Sequence, residues 1–224
     1  GEISGSPQTS IAWQRFSLQV TDNELNASAR KEFSITIFGT SNSRNLPLGR
    51  AGFDLAYTLN TIGGKPPVRY ALAPDSGSLP AGLTLAATGV LSGNISDWGG
   101  SYDFKIAPSD SSTPNLTSKE TLTLTVFGPK PFTPPASLQV GQYYSQFIAF
   151  APYTNPDQST YRMAIQATGN QPLPAGITID ARGHFISGRF TTAGTHGFRL
   201  VITDSSGYQA FKDNKSHGIC PGHF

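Results

Sequence analysis

The sequence predicts an all-β protein built from antiparallel β-sandwiches, and three observations support this prediction. Apolar and polar residues alternate over short runs such as residues 33–39 (FSITIFG), which is the period of a half-buried strand. The 24 Gly and 17 Pro residues fall largely between such runs, as turns between short strands require. Several segments also recur along the 224 residues, which indicates a repeated unit.

The recurring segments keep their order and spacing. The tetrapeptide LPAG at residues 79–82 returns at residues 173–176, 94 positions later. Residues 33–39 return as LTLTVFG at residues 122–128, 89 positions later. A unit of about 90 residues made of short strands is typical of an immunoglobulin-like sandwich. We therefore predict tandem immunoglobulin-like antiparallel β-sandwiches.

A second recurring element is a Ser-Gly pair followed by an alternating strand that ends in Asp. The pairs lie at residues 4–5, 92–93 and 187–188, and the strands end at Asp22, Asp110 and Asp204.

The repeated segments have a structural meaning and contain no catalytic group. Pro fixes its own φ and Gly permits a positive one, so LPAG predicts a turn followed by a strand. The Ser-Gly pair closes the next strand, where a side chain is not expected to fit. By alternation, the inward-facing residues of the second and third repeats are Leu83, Leu85, Phe104, Ile106, Ile177, Ile179, Phe198, Leu200 and Ile202.

The segments VGQYYSQFIAF, LPAGITID and TTAGTHGFRLVITDSSG, with a Ser-Gly pair before the last, resemble a known repeat family. This is the putative-Ig and cadherin-like (dystroglycan-type) tandem repeat of bacterial surface and secreted proteins. The resemblance covers most of residues 40–211, with a half-copy at 1–39. It implies an extracellular or cell-surface module that acts as a spacer or in adhesion.

The repeats divide the chain into four expected segments. Residues 1–39 correspond to the C-terminal half of an Ig-like repeat, 40–129 to a complete repeat, 130–211 to a repeat lacking its last strand, and 212–224 to an irregular tail. The chain is thus expected to begin inside one domain and to end before another is finished. Four prolines within residues 127–135 predict a stiff junction between two independent sandwiches with separate cores and a modest interface.

Composition and motifs exclude several classes of protein. Charged residues make up 13% of the chain and the net charge is +2, without the Lys and Arg clusters of a nucleic-acid-binding surface. No apolar run approaches the ~20 residues that span a membrane. The single Cys cannot form an internal disulfide. No Ser-His-Asp, Cys-His or paired-carboxylate motif occurs, so we predict a protein that is not an enzyme and assign it no catalytic, cofactor or metal site.

The histidines and the cysteine have the chemistry of metal ligands. His217, Cys220 and His223 form an H-x-x-C-x-x-H pattern, which indicates either a metal site or an incidental tail. His184 and His196 are isolated, and we expect them at the surface.

Three aspartates share one position at a strand end and are candidate calcium ligands. Cadherin-like repeats hold calcium between domains with carboxylates, so Asp22, Asp110 and Asp204 are candidates, with Asn23 and Glu24 beside the first. An Asx turn is the alternative interpretation of each lone Asp.

Aromatic residues offer a possible carbohydrate site. Trp13, Trp98, Tyr143, Tyr144 and Tyr153 are candidates for a sugar-binding platform, and packing in the core or at an edge is the alternative. Glycosylation sequons, which matter only in a host that glycosylates, begin at Asn26, Asn94, Asn115 and Asn214.

The whole sequence predicts a structural, adhesive or assembly role. Residues 1–39 supply strands whose apolar face needs a sheet, while the third repeat is expected to lack a closing strand. Strand addition between copies would then give a head-to-tail filament, and a piece of a longer stalk of neighbouring repeats is the alternative. The rival functions are a polysaccharide-binding or spacer module of a secreted enzyme and a calcium-rigidified adhesin stalk. The environment of Phe33, Ile35 and Ile37 tests strand addition between copies: burial against another chain favours it, whereas folding back on the same chain contradicts it.

Overall fold

The computed structural model describes residues 2–5, 11–22, 24, 27–132, 138–151, 161–168, 173, 175–180, 185–214 and 218–220 of the chain. Every regular element within these ranges is a β-strand, and most strand pairs are antiparallel. The predicted all-β class is therefore confirmed.

The first repeat is represented by a long hairpin. Strands β1 (Ile11–Asp22) and β2 (Ala27–Ile37) pair antiparallel, with Phe16 opposite Phe33 and Leu18 opposite Lys31. Facing residues share one side of a sheet, so Phe16, Leu18 and Phe33 lie on a common apolar face. Within the described residues, these two strands form a sheet of their own. We call this pair the open hairpin.

The second repeat is a sandwich of two sheets. One has the order β5–β8–β7, and the other pairs β10 with β9 on one side and, in parallel, with β4 on the other. The core between them includes Leu59, Leu83 and Leu91 from one side and Phe104 and Leu122 from the other. The strands are β3 (Gly39–Thr40), β4 (Gly49–Arg50), β5 (Asp54–Thr58), β6 (Thr61–Ile62), β7 (Leu83–Leu85), β8 (Val90–Asn94), β9 (Gly100–Ile106) and β10 (Glu120–Pro129).

The third repeat follows the same plan. Its sheets have the orders β12–β16–β15, β14–β18–β19 and β11–β20–β17. A second core cluster contains Ile148, Ile177, Ile186, Phe190, Phe198 and Leu200. The strands are β11 (Leu138–Gln139), β12 (Tyr143–Phe147), β13 (Phe150–Ala151), β14 (Tyr161–Ala167), β15 (Ile177–Ile179), β16 (Phe185–Arg189), β17 (Gly194–Thr195), β18 (Phe198–Asp204), β19 (Gln209–Asn214) and β20 (Gly218–Cys220).

The inward-facing residues predicted from alternation are confirmed. Seven of the nine are buried, and Leu85 and Ile179 are half-buried and pack against the two core clusters. The buried members are Leu83, Phe104, Ile106, Ile177, Phe198, Leu200 and Ile202.

The repeated LPAG and Ser-Gly segments meet each other in space. Gly82 has φ +90° and directly precedes β7, as the predicted turn requires. A Cβ on Gly93 would overlap the carbonyl oxygen of Gly82, and a Cβ on Gly82 would overlap that of Asn94. Gly176 and Gly188 repeat the contact in the third repeat. The two segments recur because two backbones touch where no side chain fits.

The last strand of the third repeat was predicted to be missing, and the structure differs. Strand β19 pairs with β18 over six residue pairs, from Phe198 opposite Asn214 to Thr203 opposite Gln209. Strand β20 then pairs in parallel with β11, as the end of β10 pairs with β4. Strands β19 and β20 thus take the place of β10, although they lack its alternation. The expected boundary at residue 211 and the irregular tail from residue 212 are therefore wrong over the described part of this segment.

Each repeat has its own core cluster, as predicted, but the two cores are not fully separate. The core cluster of the second repeat extends across the junction to Phe150, Ile202 and Ala210 of the third repeat. Tyr161 and Met163 pack against the same cluster. The proline-rich junction therefore joins two sandwiches through a buried apolar contact.

Replacing Phe198 by Ala should lower the free energy of unfolding by about 3–5 kcal/mol, because it leaves a cavity in the second core cluster. Chemical denaturation followed by circular dichroism would measure the change. Phe185→Ala is the matched control, since the exposed Phe185 lies in the same repeat. Equal losses in the two variants would contradict the assigned core.

Candidate functional site

The described residues contain no group of three or more His, Cys, Asp or Glu side chains that could hold a metal ion. No helix there is both long and apolar enough to cross a membrane. The candidate sites are therefore surfaces and junctions between repeats.

Asp110 is buried and organises the loop between β9 and β10. Its carboxylate accepts hydrogen bonds from the N–H groups of Lys65, Ser112 and Leu116 and from the hydroxyl of Ser112, at 2.6–3.1 Å. Burial opposes ionisation of this carboxyl, but these hydrogen bonds outweigh it and hold the pKa of Asp110 well below its usual range. The carboxylate thus serves as a cap for its own loop.

The equivalent aspartates make Asx turns. Asp204 accepts hydrogen bonds from the Ser206 hydroxyl, which lowers the pKa of Asp204, and from the N–H groups of Ser206 and Tyr208. Asp22 accepts one from the N–H of Glu24. The Asx-turn interpretation is confirmed at all three positions, and Asn23 lies outside the described residues. The three carboxylates cap separate hairpin turns.

The proposed aromatic platform does not form from the candidates that the structure describes. Trp98 lies at the repeat junction, with its ring 5.8 Å from that of Phe132. Tyr143 is exposed, whereas Tyr144 points inward toward Phe190, and burial raises the pKa of Tyr144. Tyr153 and the side chain of Trp13 lie outside the described residues.

A different aromatic surface lies on the outer face of the β12–β16–β15 sheet. Phe147 and Phe185 face each other across β12 and β16, with ring centroids 5.4 Å apart, and both are exposed. Tyr143 stands opposite Arg189 on the same face, with the guanidinium 5.8 Å from the ring centroid. We call these four residues the outer aromatic face. The two phenylalanines were not predicted as site residues, although alternation from the buried Ile186 and Ile148 places both outward.

The junction between the second and third repeats is built from backbone pairing and aromatic packing. Strand β10 runs out of its own sheet and pairs with β13. Phe127 and Phe150 lie against Tyr161, with ring centroids 5.9 and 4.6 Å from its ring. Phe211 packs against Phe53, while its N–H donates to the carbonyl of Ala51. The two repeats are therefore joined by both main-chain and side-chain contacts.

The junction between the open hairpin and the second repeat uses the same pairing. Gly39 lies opposite Ile62, as Gly128 lies opposite Ala151. The N–H of Ser41 donates to Asn60 and that of Lys130 to Ala149, at 3.0 and 2.8 Å. Every pair is displaced by 89 positions, which is the spacing of the FSITIFG and LTLTVFG segments. The open hairpin therefore sits on the second repeat as β9 and β10 sit on the third.

The apolar face of the open hairpin is exposed to solvent. Leu18 is 43% exposed, whereas Ile106, its equivalent in the second repeat, is 0% exposed. Phe33 is 38% exposed against 1% for Leu122. Ile35 is 48% exposed against 0% for Leu124. Residues that are buried in the second repeat are thus exposed at the equivalent positions of the open hairpin.

Comparison with known proteins identifies the repeats. The putative Ig domain family matches residues 44–127 and 130–216. The chain belongs to the putative Ig domain family. No curated protein matches it.

Several solved structures, among them extracellular domains and cadherin repeats, are similar to this chain. Drosophila OTK extracellular domains 3–5 share 11% identity over 93% of this chain and 71% of theirs, with a TM-score of 0.36. Drosophila N-cadherin EC1–4 shares 12% identity over 94% of this chain and 59% of its own, with a TM-score of 0.32. A Bacteroides ovatus protein solved with a mixed-linkage heptasaccharide, SGBP-B, shares 14% identity over 77% and 42%, with a TM-score of 0.27.

Of the remaining candidate residues, the structure describes the side chain of His196. His196 is half-buried against Phe190 rather than exposed, and its Nε2 lies 3.2 Å from the carbonyl of Thr192. His184, His217 and His223 lie outside the described residues, as does the side chain of Cys220.

Two of the sequon asparagines of the Ig domains lie at the surface. Asn94 and Asn115 are exposed, and Asn94 donates to the carboxylate of Asp54. Asn26 and the side chain of Asn214 lie outside the described residues.

Acid should destabilise these Ig domains through the Asp110 cap. A carboxyl whose pKa is lowered by folding stabilises the folded state above its unfolded pKa of about 3.9 and loses this contribution as the pH falls toward the folded value. We expect the urea midpoint to fall between about pH 5 and about pH 2, and to fall less in Asp110→Asn. Denaturation curves across this range test it, and Asp54→Asn is an exposed control. Identical pH profiles for wild type and Asp110→Asn would contradict the assignment.

Proposed function

We propose that the chain is a non-catalytic structural and adhesive segment of an extracellular protein, in which Ig-like repeats are stacked in fixed orientation. The observation that carries this proposal is the junction geometry that recurs at an offset of 89 positions. A segment with this geometry holds whatever it carries at a set distance and direction from its anchor.

The chemistry of the junction supports a stiff stack. Inter-domain contacts that are small and polar permit hinge motion, whereas large apolar ones restrict it. Here Phe150, Ile202 and Ala210 of the third repeat are buried in a cluster with Phe127 of the second. The N–H of Gly99 also donates to the carbonyl of Pro129 at 2.7 Å, which ties the end of β10 back to its own repeat. Bending the junction would expose apolar surface and break backbone hydrogen bonds.

The open hairpin supports a role in assembly with other copies or with neighbouring repeats. An exposed apolar sheet face and a free strand edge favour pairing with further strands. Strands β19 and β20 already occupy the place in the third repeat that a neighbour's strand was expected to fill. Complementation is therefore proposed at the hairpin end of the chain.

Replacing Phe211 by Ala should loosen the stack, because it removes the ring that packs on Phe53 while leaving both cores in place. We expect a broader distance distribution between spin labels placed on the second and third repeats. Phe185→Ala, on the outer aromatic face, should leave the distribution unchanged. A wild-type distribution as broad as that of Phe211→Ala would rule out the stiff stack.

A second candidate function is polysaccharide binding by the outer aromatic face. Sugar rings stack on exposed aromatic rings through their apolar C–H faces while their hydroxyls seek polar partners. Phe147, Phe185 and Tyr143 flank Ser145 and Ser187 on this face, which provides both kinds of contact. In the second repeat, Thr58 and Val90 occupy the positions of the two phenylalanines.

The double variant Phe147→Ala, Phe185→Ala should lose retention on insoluble polysaccharides if this candidate is right. Thr58→Ala, Val90→Ala is the matched control at the equivalent positions, and its retention should equal that of the wild type. Affinity electrophoresis against a panel of neutral and acidic polysaccharides measures the effect. A wild-type chain that no polysaccharide retards would eliminate the candidate.

A further inference from the structure

The open hairpin and the β9–β10 hairpin are two copies of one element. Phe16 lies opposite Phe33 as Phe104 lies opposite Leu122, and Leu18 lies opposite Lys31 as Ile106 lies opposite Glu120. Both hairpins also pair with the following repeat at equivalent positions. The residues that cover the apolar face of β9–β10 therefore predict what covers the apolar face of the open hairpin.

In the second repeat, the cover of β9–β10 is the front half of the same repeat, residues 42–95. Residues 44–51 run parallel to β10 along its free edge. The N–H of Thr123 donates to Arg44, while the N–H groups of Leu46 and Ala51 donate to Thr123 and Phe127, all at 2.8–2.9 Å. Above the apolar face lie Leu46, Leu59, Leu83, Leu91 and Ile95.

We propose that the open hairpin binds the front half of an Ig-like repeat of this family. The first strand of this front half would run parallel to β2. It would make backbone hydrogen bonds at Ser34 and Phe38, which stand 89 positions before Thr123 and Phe127. Its aliphatic side chains would cover Phe16, Leu18, Phe33 and Ile35. This inference rests on the proposed structural function and names the partner of the hairpin.

Two residues of the open hairpin indicate how its partner differs from the front half of the second repeat. In the second repeat, the Glu120 carboxylate accepts a hydrogen bond from the N–H of Thr40 at 3.2 Å. Lys31 stands at this position in the open hairpin, with its ammonium 5.4 Å from the Phe33 ring. A partner that buries this ammonium must offer an acceptor, so we expect a carboxylate or a carbonyl oxygen there. Because Phe33 is bulkier than Leu122, we expect the partner residue that faces it to be smaller than its counterpart in the second repeat.

A graft onto the full chain tests the inference. A copy of residues 40–90 is joined directly ahead of Ile3. Ile3-Ser4-Gly5 then follows the copy as Leu91-Ser92-Gly93 follows residue 90 in the second repeat. In the copy, the residue equivalent to Thr40 is changed to Asp to face Lys31. We expect a monomer in which hydrogen exchange of the amides at residues 34–38 slows about tenfold or more relative to the ungrafted chain. Binding of an apolar fluorescent dye should fall at the same time.

Two variants of the graft are matched controls. Ile35→Lys, on the apolar face, should abolish the protection, while Ser28→Lys, on the opposite face of the same strand, should retain it. A graft that is folded but leaves residues 34–38 exchanging as in the ungrafted chain would overturn the proposal.

The ungrafted chain provides a second measurement that does not depend on the graft folding. It should bind the dye, and Ile35→Lys should reduce this binding whereas Ser28→Lys should not. A dimer in which residues 34–38 are already protected would show that a second copy covers the face, and it would overturn the proposal. The spin-label distances between the second and third repeats do not involve the hairpin, so a failure here leaves the stiff stack standing.

Discussion

The close approach of two backbones at Gly82 and Gly93 is the contact on which each sandwich depends. Because neither residue carries a Cβ, the turn before β7 lies directly on β8. This fixes the register in which Leu83 faces Gly93 and Leu85 faces Leu91, and so directs Leu83 and Leu91 into the core. A shift of one residue in this register would move the buried side chains to the solvent-facing side of the sheet. The repeats therefore preserve this pair of glycines more strictly than the side chains that fill the core.

The second constraint is the continuity of β10 from one repeat into the next. Its first residues close a sandwich, and its last two, Gly128 and Pro129, pair with β13 beyond the junction. A strand that serves two sheets allows neither to rotate freely. The same pairing recurs at Gly39 and Thr40, so the end of the last strand contacts the following repeat at equivalent positions in both cases.

Much of this fold could be predicted from the sequence because it follows from local periodicity. The alternation in residues 198–204 placed Phe198, Leu200 and Ile202 correctly, and the role of Gly93 followed from its repetition. Strand β19 escaped prediction because its residues lack alternation: Ala210 is buried, while Phe211 packs across the junction instead of into its own core. The shared core and the position of Trp98 depend on how two repeats meet, which no period within one repeat reveals.

The exposed face of the open hairpin couples its folding to its binding. An isolated two-stranded hairpin is marginally stable in water, and burying a side chain such as Phe33 or Ile35 contributes roughly 1.5–3 kcal/mol. The pairing of Gly39 and Thr40 with β6 anchors one end of the hairpin, so its strands are held ready for a partner. Any partner that covers the face also stabilises the strands that bind it, because it binds the paired form alone. Since the anchored end lies at the junction, a partner seated on β2 continues the stack with the spacing and direction already fixed by the second and third repeats.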